Sequence, residues 1–297
     1  MELQLKNIGM IKEANVKIDG LTVIAGENDT GKSTVARELH YEITSLGSMG
    51  RFPIPFRRAK LIFDKNEEKV NRAVLIDTPN SLDTFSFIKN ATLLIHQHRL
   101  DIHLPIFRVD LILQLSQNIF QQEENSNIYK NIEKIIDGKV YYDENKDEIF
   151  YKKYSLKNKK IAMKDTSNGI KMFGFLQILL LNDTLKKGIT LILDEPEVHL
   201  HPKWQLEYAK LLINLVKNGV KVLVNSHSPY MIEALKRYSD LEKIEDKTNF
   251  YLAEDGYIKQ INDNNSETLE KIFEKLSEPF DTFEEMDSQS MEKLING

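Results

Sequence analysis

The sequence predicts an α/β fold: a mixed central sheet with flanking helices, an antiparallel β-layer near its start, and an inserted, largely helical subdomain. Three observations carry this. A short apolar strand, Leu21 to Ala25, runs into a glycine loop and then into a helix. Far along the chain, Thr190 to Leu193 and Val220 to Val224 are apolar without alternation, as strands covered on both faces must be. A helical stretch opened by Pro202 joins those two, which makes them a parallel pair.

Taken in order, residues 3–9 and 12–19 alternate apolar and polar side chains and read as two antiparallel strands joined at Gly9-Met10-Ile11. Gly20 turns the chain into Leu21–Ala25, and a helix starts at Val35. Gly47-Ser48-Met49-Gly50 breaks that helix, and Pro53 and Pro55 bar its continuation. Residues 47–138 are expected as the inserted subdomain. Within it, Val74 to Pro79 and Ala91 to Gln97 read as strands, and 109–136 carries Leu111, Leu115, Ile119, Ile128, Ile132, Ile135 and Ile136 at helical spacing, interrupted over Gln121 to Asn127. No heptad pattern is sustained.

Val140-Tyr141-Tyr142 and Ile149-Phe150-Tyr151 read as a hairpin. Lys152, Lys153, Lys157, Lys159, Lys160 and Lys164 follow, interleaved with Tyr151 and Tyr154. Such a run is either a nucleic-acid-facing strip or a solvated sheet edge guarded by lysines. Thr166 to Gly169 cap an apolar helix from Ile170 to Leu185. The helix from Pro202 repeats Trp204, Tyr208, Leu211, Leu212 and Leu215 along one face until Gly219. Residues 249–261 form a hairpin about Asp255-Gly256, and an acidic helical segment, 262–297, carries Leu269, Ile272, Phe273 and Leu276 on one stripe. The principal domain is expected to comprise 1–46 and 139–261.

The 297 residues are 41% hydrophobic and 29% charged, the composition of an ordinary globular protein. No run approaches the length that spans a bilayer, and the opening residues are not a signal peptide. The absence of cysteine excludes disulfides, thiolate catalysis and cysteine-ligated zinc, and points to a cytoplasmic setting. A net charge of −5 argues against a wholly basic nucleic-acid binder.

Gly26-Glu27-Asn28-Asp29-Thr30-Gly31-Lys32-Ser33-Thr34 fits the phosphate-loop pattern G-x-x-x-x-G-K-[ST] between a strand and a helix. Its glycines let backbone N–H groups curl around phosphates, and the helix start adds a positive dipole end. Lys32 would reach the β- and γ-phosphates, and the Ser33 hydroxyl would hold Mg²⁺. Asp194, at the end of an apolar strand, would complete the metal shell, and Glu195 beside it would orient or deprotonate the attacking water. His227, at the end of the neighbouring strand, would sense the γ-phosphate by hydrogen bonding.

Together, Gly26 to Ser33, Ser167-Asn168-Gly169, Asp194-Glu195-Pro196-Glu197-Val198-His199-Leu200-His201-Pro202 and Asn225-Ser226-His227-Ser228-Pro229 resemble the motif series of ABC-type P-loop ATPase heads. The likeness is to the soluble branch: chromosome-maintenance, RecF-type and overcoming-lysogenization-defect proteins and bacterial anti-phage ATPases. It covers residues 1–45 and about 160–261. It implies an ATPase with ATP and Mg²⁺ as cofactors, whose two heads close face to face as a homodimer on two ATP molecules. Ser167 and Gly169 would meet the partner's γ-phosphate. Only the serine and second glycine of the full Leu-Ser-Gly-Gly-Gln signature are kept, which implies slow hydrolysis. Gln97, at an expected strand end, is the candidate for the family's glutamine-loop metal contact, with Asp77 as its rival. His199 and His201 fall in the stretch expected to cross the dimer interface, with a metal site including Glu197 as the lesser alternative.

The expected role is ATP-gated control of a separate effector or toxin protein in anti-phage defence. The alternatives are a DNA-repair or chromosome-type ATPase that contacts nucleic acid through the lysine-rich hairpin, and an overcoming-lysogenization-defect-type nuclease. The stretch after the last hairpin is expected to be too short for the nuclease's additional domain.

Overall fold

A computed structural model describes residues 1–47, 59–63, 72–98, 102, 104–117, 126–198 and 200–296. The expected break at 48–50, the prolines at 53 and 55, most of the polar interruption between 121 and 127, and His199 lie outside the described residues.

The strands are β1 (Glu2–Ile8), β2 (Ile11–Lys17), β3 (Leu21–Ala25), β4 (Ala59–Ile62), β5 (Ala73–Ile76), β6 (Gly138–Asp143), β7 (Glu148–Lys153), β8 (Lys159–Ala162), β9 (Thr190–Asp194), β10 (Lys221–Ser226), β11 (Thr248–Glu254) and β12 (Tyr257–Lys259). Nine of them form one sheet in the order β4-β1-β2-β12-β11-β3-β10-β9-β5. The half β11-β3-β10-β9-β5 is parallel throughout. On the other side, β1 runs antiparallel to β2 and β4, and β12 is antiparallel to β11. The mixed sheet and the antiparallel layer are as the alternation patterns predict. The hairpin of β11 and β12 turns at Asp255 and Gly256, whose φ values of 51° and 82° are those of a tight primed turn.

Alternating side chains of the parallel strands feed two cores. Leu21, Val23, Leu191, Leu193, Val222 and Val224 face one cluster, shared with α5 (Asn168–Leu181), α6 (Pro202–Lys217) and α7 (Pro229–Leu241). Ile24, Ile192 and Leu223 face the other, against Val35, Ala36, Leu39 and Ile43 of α1 (Lys32–Gly47). Strands sandwiched this way must be apolar on both faces, which is why they read without alternation.

The stretch 47–138 departs from its expected form. Both outer strands of the nine-stranded sheet, β4 and β5, come from it, so its strands join the principal sheet. The strand expected at Ala91–Gln97 is instead the second half of α2 (Phe85–His98). Phe85 and Ile88, one turn apart, are its buried anchors, while Leu93 and Leu94 are about half exposed. The apolar run is therefore not the mark of a buried strand. Helices α3 (Ile106–Leu115) and α4 (Asn127–Ile136) do follow the expected spacing. Ser126 caps α4, its hydroxyl accepting from the Tyr129 N–H, and Ile128, Ile132 and Ile136 are buried.

The expected hairpin of β6 and β7 gains β8 as a third antiparallel strand. Lys159 and Lys160 are exposed on β8, and Lys160 lies over the Tyr141 ring, so these lysines stand at a solvated edge. From the acidic segment comes α8 (Asn265–Asn296), which buries Leu269 and Ile272 beside the sheet.

Candidate functional site

The C-terminal ends of β3, β9 and β10 bring the phosphate loop, Asp194-Glu195 and His227 to one place. Register does this: Asn225 pairs with Ile24 on one side and with Asp194 on the other. Ligands of open α/β sheets lie at such ends.

In the loop, Asp29 and Gly31 take positive φ of 65° and 94°. A Cβ on Gly31 would stand 2.8 Å from Ile11 Cγ1, and one on Gly26 would stand 2.3 Å from the Ala253 carbonyl oxygen, so both positions need glycine. Glu27, Asn28 and Asp29 are exposed at the rim, and the Thr30 hydroxyl donates to the Glu27 carbonyl at 2.8 Å. Lys32 is buried. Its Nζ donates to the carbonyls of Gly26 (2.9 Å) and Glu27 (2.6 Å) and lies 3.8 Å from Glu195 Oε1. Burial pulls the Lys32 ammonium below the usual lysine range, against the opposing charges of Glu195 and Asp194. Thr34, in the first turn of α1, packs beside Gly9 of the β1–β2 turn.

Asp194 is fixed between strands. It accepts from Asn225 Nδ2 at 2.8 Å and hydrogen-bonds Ser33, while the same Asn225 amide donates to the Lys32 carbonyl at 2.8 Å. Burial pushes the Asp194 carboxyl up, opposed by those hydrogen bonds. A hydroxyl and a carboxylate in contact are hard oxygen donors of the kind Mg²⁺ takes.

Glu195 has φ 53°, left-handed for a non-glycine residue, and its N–H donates to the Asn225 carbonyl at 3.0 Å. This kink directs its Oε1 to within 3.4 Å of His227 Nδ1, as well as toward Lys32. Both residues expected to be catalytic therefore lie side by side.

Three residues hold this centre in roles that the sequence reading did not give them. Asn225 ties the phosphate loop to Asp194. Glu197, almost fully buried, accepts from Ser226 Oγ at 2.7 Å and from the His227 N–H at 2.9 Å. Gln205 accepts from Ser228 Oγ at 2.7 Å and donates to the Leu200 carbonyl at 3.0 Å. Burial pushes the Glu197 carboxyl up, against the hydrogen bond from Ser226. The signal available was a carboxylate on the strand-end loop facing a Ser-His pair, but only the register reveals the facing.

Gln97 is not at a strand end. It is exposed in the last turn of α2, and the reason for naming it as a metal contact falls with the strand. Its rival Asp77 follows β5 and lines a pocket with Thr78, Met172, Asp194, Glu195 and Val198. There it accepts from Arg108 at 2.8 Å. His201 caps α6, its Nδ1 accepting from the Lys203 N–H at 3.3 Å. No group of three or more His, Asp or Glu side chains among the described residues is arranged to hold a metal ion.

Ser167 and Gly169 open α5, where the exposed Ser167 hydroxyl accepts from the Ile170 N–H at 3.5 Å. Gly169 is buried, and a Cβ there would stand 2.6 Å from the Trp204 ring. Among the described residues no hydrogen bond or ion pair joins either of them to the phosphate loop.

Residues 108–232, which span α3 to the start of α7 and include Asp194, Glu195 and His227, match the family model of an AAA ATPase domain. No curated protein matches the chain. Among solved structures, the chain is similar to the ATP binding subunit of an ABC transporter, at 14% identity over 94% of this chain and 100% of that one, with a TM-score of 0.50. It is also similar to the Smc head domain of Pyrococcus furiosus bound to the C-terminal domain of ScpA (14% identity, 93% and 99% covered, TM-score 0.49). A further likeness is to the SMC head domain of Thermotoga maritima (14% identity, 88% and 98% covered, TM-score 0.48).

The architecture is that of an ABC-type P-loop ATPase head. With the matched ATPase domain and an intact phosphate loop, the chain is an ATP-hydrolysing enzyme. No helix among the described residues is long and apolar enough to cross a membrane.

Proposed function

We propose that this ATPase works in the cytoplasm as an ATP-closed homodimer whose cycle gates a separate effector or toxin protein in anti-phage defence. One observation carries the dimer: the cap of α5 presents an exposed serine at a positive helix end, yet makes no polar contact with its own phosphate loop. A partner's γ-phosphate is the group that such an end suits. Lys32 and the loop amides bind the phosphates of ATP, and Glu195 orients the attacking water, with His227 beside it. Ser33 and Asp194 would hold Mg²⁺, which when bound offsets phosphate charge.

Glu195→Gln tests the cycle. The isostere keeps shape, removes the carboxylate that handles the water, and takes one negative charge from beside the γ-phosphate. ATP turnover should fall by roughly 100-fold or more, while sedimentation in Mg-ATP shows a persistent dimer. A variant that stays monomeric at saturating ATP would count against closure. Expression with its neighbouring genes in a phage-sensitive host tests the role. Plaque counts should drop with wild type and recover with Lys32→Ala, and equal counts would remove the defence reading.

A further inference from the structure

The Glu197 side chain is 2% exposed, and among the described residues no lysine or arginine lies within ion-pair distance of it. Holding a carboxylate there is costly unless something facing it repays the lost hydration. Its Oε1 accepts from Ser226 Oγ and from the His227 N–H, but a neutral glutamine oxygen could take both bonds equally well. Those bonds therefore do not explain the charge.

The ring of His227 does. Among the described residues its Nδ1 is a buried atom with no hydrogen-bond partner, and Glu197 Oε2 is a second such atom. Nδ1 lies 3.6 Å from Glu197 Oε1 and 3.4 Å from Glu195 Oε1. A bare lone pair on Nδ1 would face acceptor oxygens on two sides, whereas a proton on it makes that nitrogen a donor toward both carboxylates. The loop that carries the ring is itself tied down, through the His227 N–H and both neighbouring serines. Ser228 N–H donates to Ser226 Oγ at 3.1 Å, and Ser228 Oγ is bound by Gln205.

We infer that Glu197 is a positioning residue of the site: it fixes His227 with the ring proton on Nδ1 and leaves Nε2 as the nitrogen that meets phosphate or water. Its consequence for turnover rests on the ATPase reading above; its consequence for the ring does not. Glu195 handles the water and Glu197 sets the imidazole beside it, so two acids two positions apart on one loop divide the work.

Nitrogen chemical shifts of His227 in labelled protein at alkaline pH, assigned with His227→Gln, read the tautomer directly. Wild type should show the Nδ1–H form, and Glu197→Gln should move the ring toward Nε2–H. In parallel, kcat of Glu197→Gln should fall roughly tenfold or more, as when an outer partner that orients a histidine is removed, while affinity for a fluorescent ATP analogue stays within about twofold. Three results overturn the inference: an Nε2–H ring in wild type, an Nδ1–H ring retained in Glu197→Gln, or an unchanged kcat in that variant. The wild-type spectrum decides even where the variant fails to fold. If the chain turns over no ATP, the ATPase reading fails while the tautomer still tests the role of Glu197.

Discussion

Lys32 sits with its ammonium against the carbonyls of Gly26 and Glu27, in a place where burial works against its charge. The phosphates of ATP would add opposite charge to that of Glu195, which lies 3.8 Å away. Lys32→Ala should therefore abolish nucleotide binding, read by titration with a fluorescent ATP analogue; affinity within a few-fold of wild type would mean that the loop binds no phosphate. The phosphate-loop residues were legible in the sequence because their chemistry is local, one strand, one loop and one helix start. Asp194, Glu195 and His227 were legible as strand ends. Asn225, Glu197 and Gln205 were not, because what each touches is set by how β10 registers against β3 and β9 and by a loop folded back on it. Gln97 failed for a different reason: seven residues, Ala91 to Gln97, carry too little pattern to separate a strand from a helix.

Between elements, two contacts carry consequences. The start of α5 packs on α6 through Gly169 and Trp204, whose ring also meets Phe173 edge-on at 5.4 Å. Alanine in place of a helical glycine ordinarily stabilises, by about 1 kcal/mol. Here the new Cβ meets a ring carbon at 2.6 Å, so Gly169→Ala should instead cost about 1–3 kcal/mol by urea unfolding. Combined with Trp204→Leu, the loss should be less than the sum of the two single changes. Strict additivity would show that the glycine serves something other than this ring. The second contact joins α1 to α3, where His40 Nε2 lies 3.6 Å from Asp110 Oδ2. Burial lowers the His40 imidazole to about 4 and raises the Asp110 carboxyl to about 6. Around pH 5 the folded pair holds its proton on Asp110 and the unfolded pair holds it on histidine, so the net uptake nearly cancels. Above pH 6 the folded protein carries an ionised Asp110 that burial disfavours. Asp110→Asn should thus raise stability at pH 7, by on the order of a few kcal/mol, and that gain should vanish as pH falls toward 4. Denaturant midpoints of both proteins at pH 7 and 4.5 check it; a difference that does not depend on pH would mean that Asp110 is solvated.

At the scale of the whole molecule, the expected head was legible because its parallel strands are apolar throughout and its ligand-bearing loops all leave one end of the sheet. What was not legible is that β4 and β5, both from 47–138, complete the sheet at its two edges, through pairing that no local pattern announces. The proposed homodimer would need a trans contact. Ser167 is exposed at the mouth of α5, and the phosphate loop lies on other elements. Ser167→Arg puts bulk and a cation on a surface that would have to close over a partner's ATP, so it should stop turnover while nucleotide titration stays normal. Lys32→Ala should stop turnover by failing to bind. In a mixture of the two, some dimers hold one site with both defects and one site with neither. If a single intact site suffices, turnover returns to about a quarter of wild type, because about half the dimers are mixed at equal mixing with random pairing and each holds one intact site of two. A mixture as inactive as its parents, together with mixed dimers seen by mass spectrometry, means that both sites must fire. A Ser167→Arg protein that dimerises and hydrolyses ATP like wild type would exclude head-to-head closure on that serine.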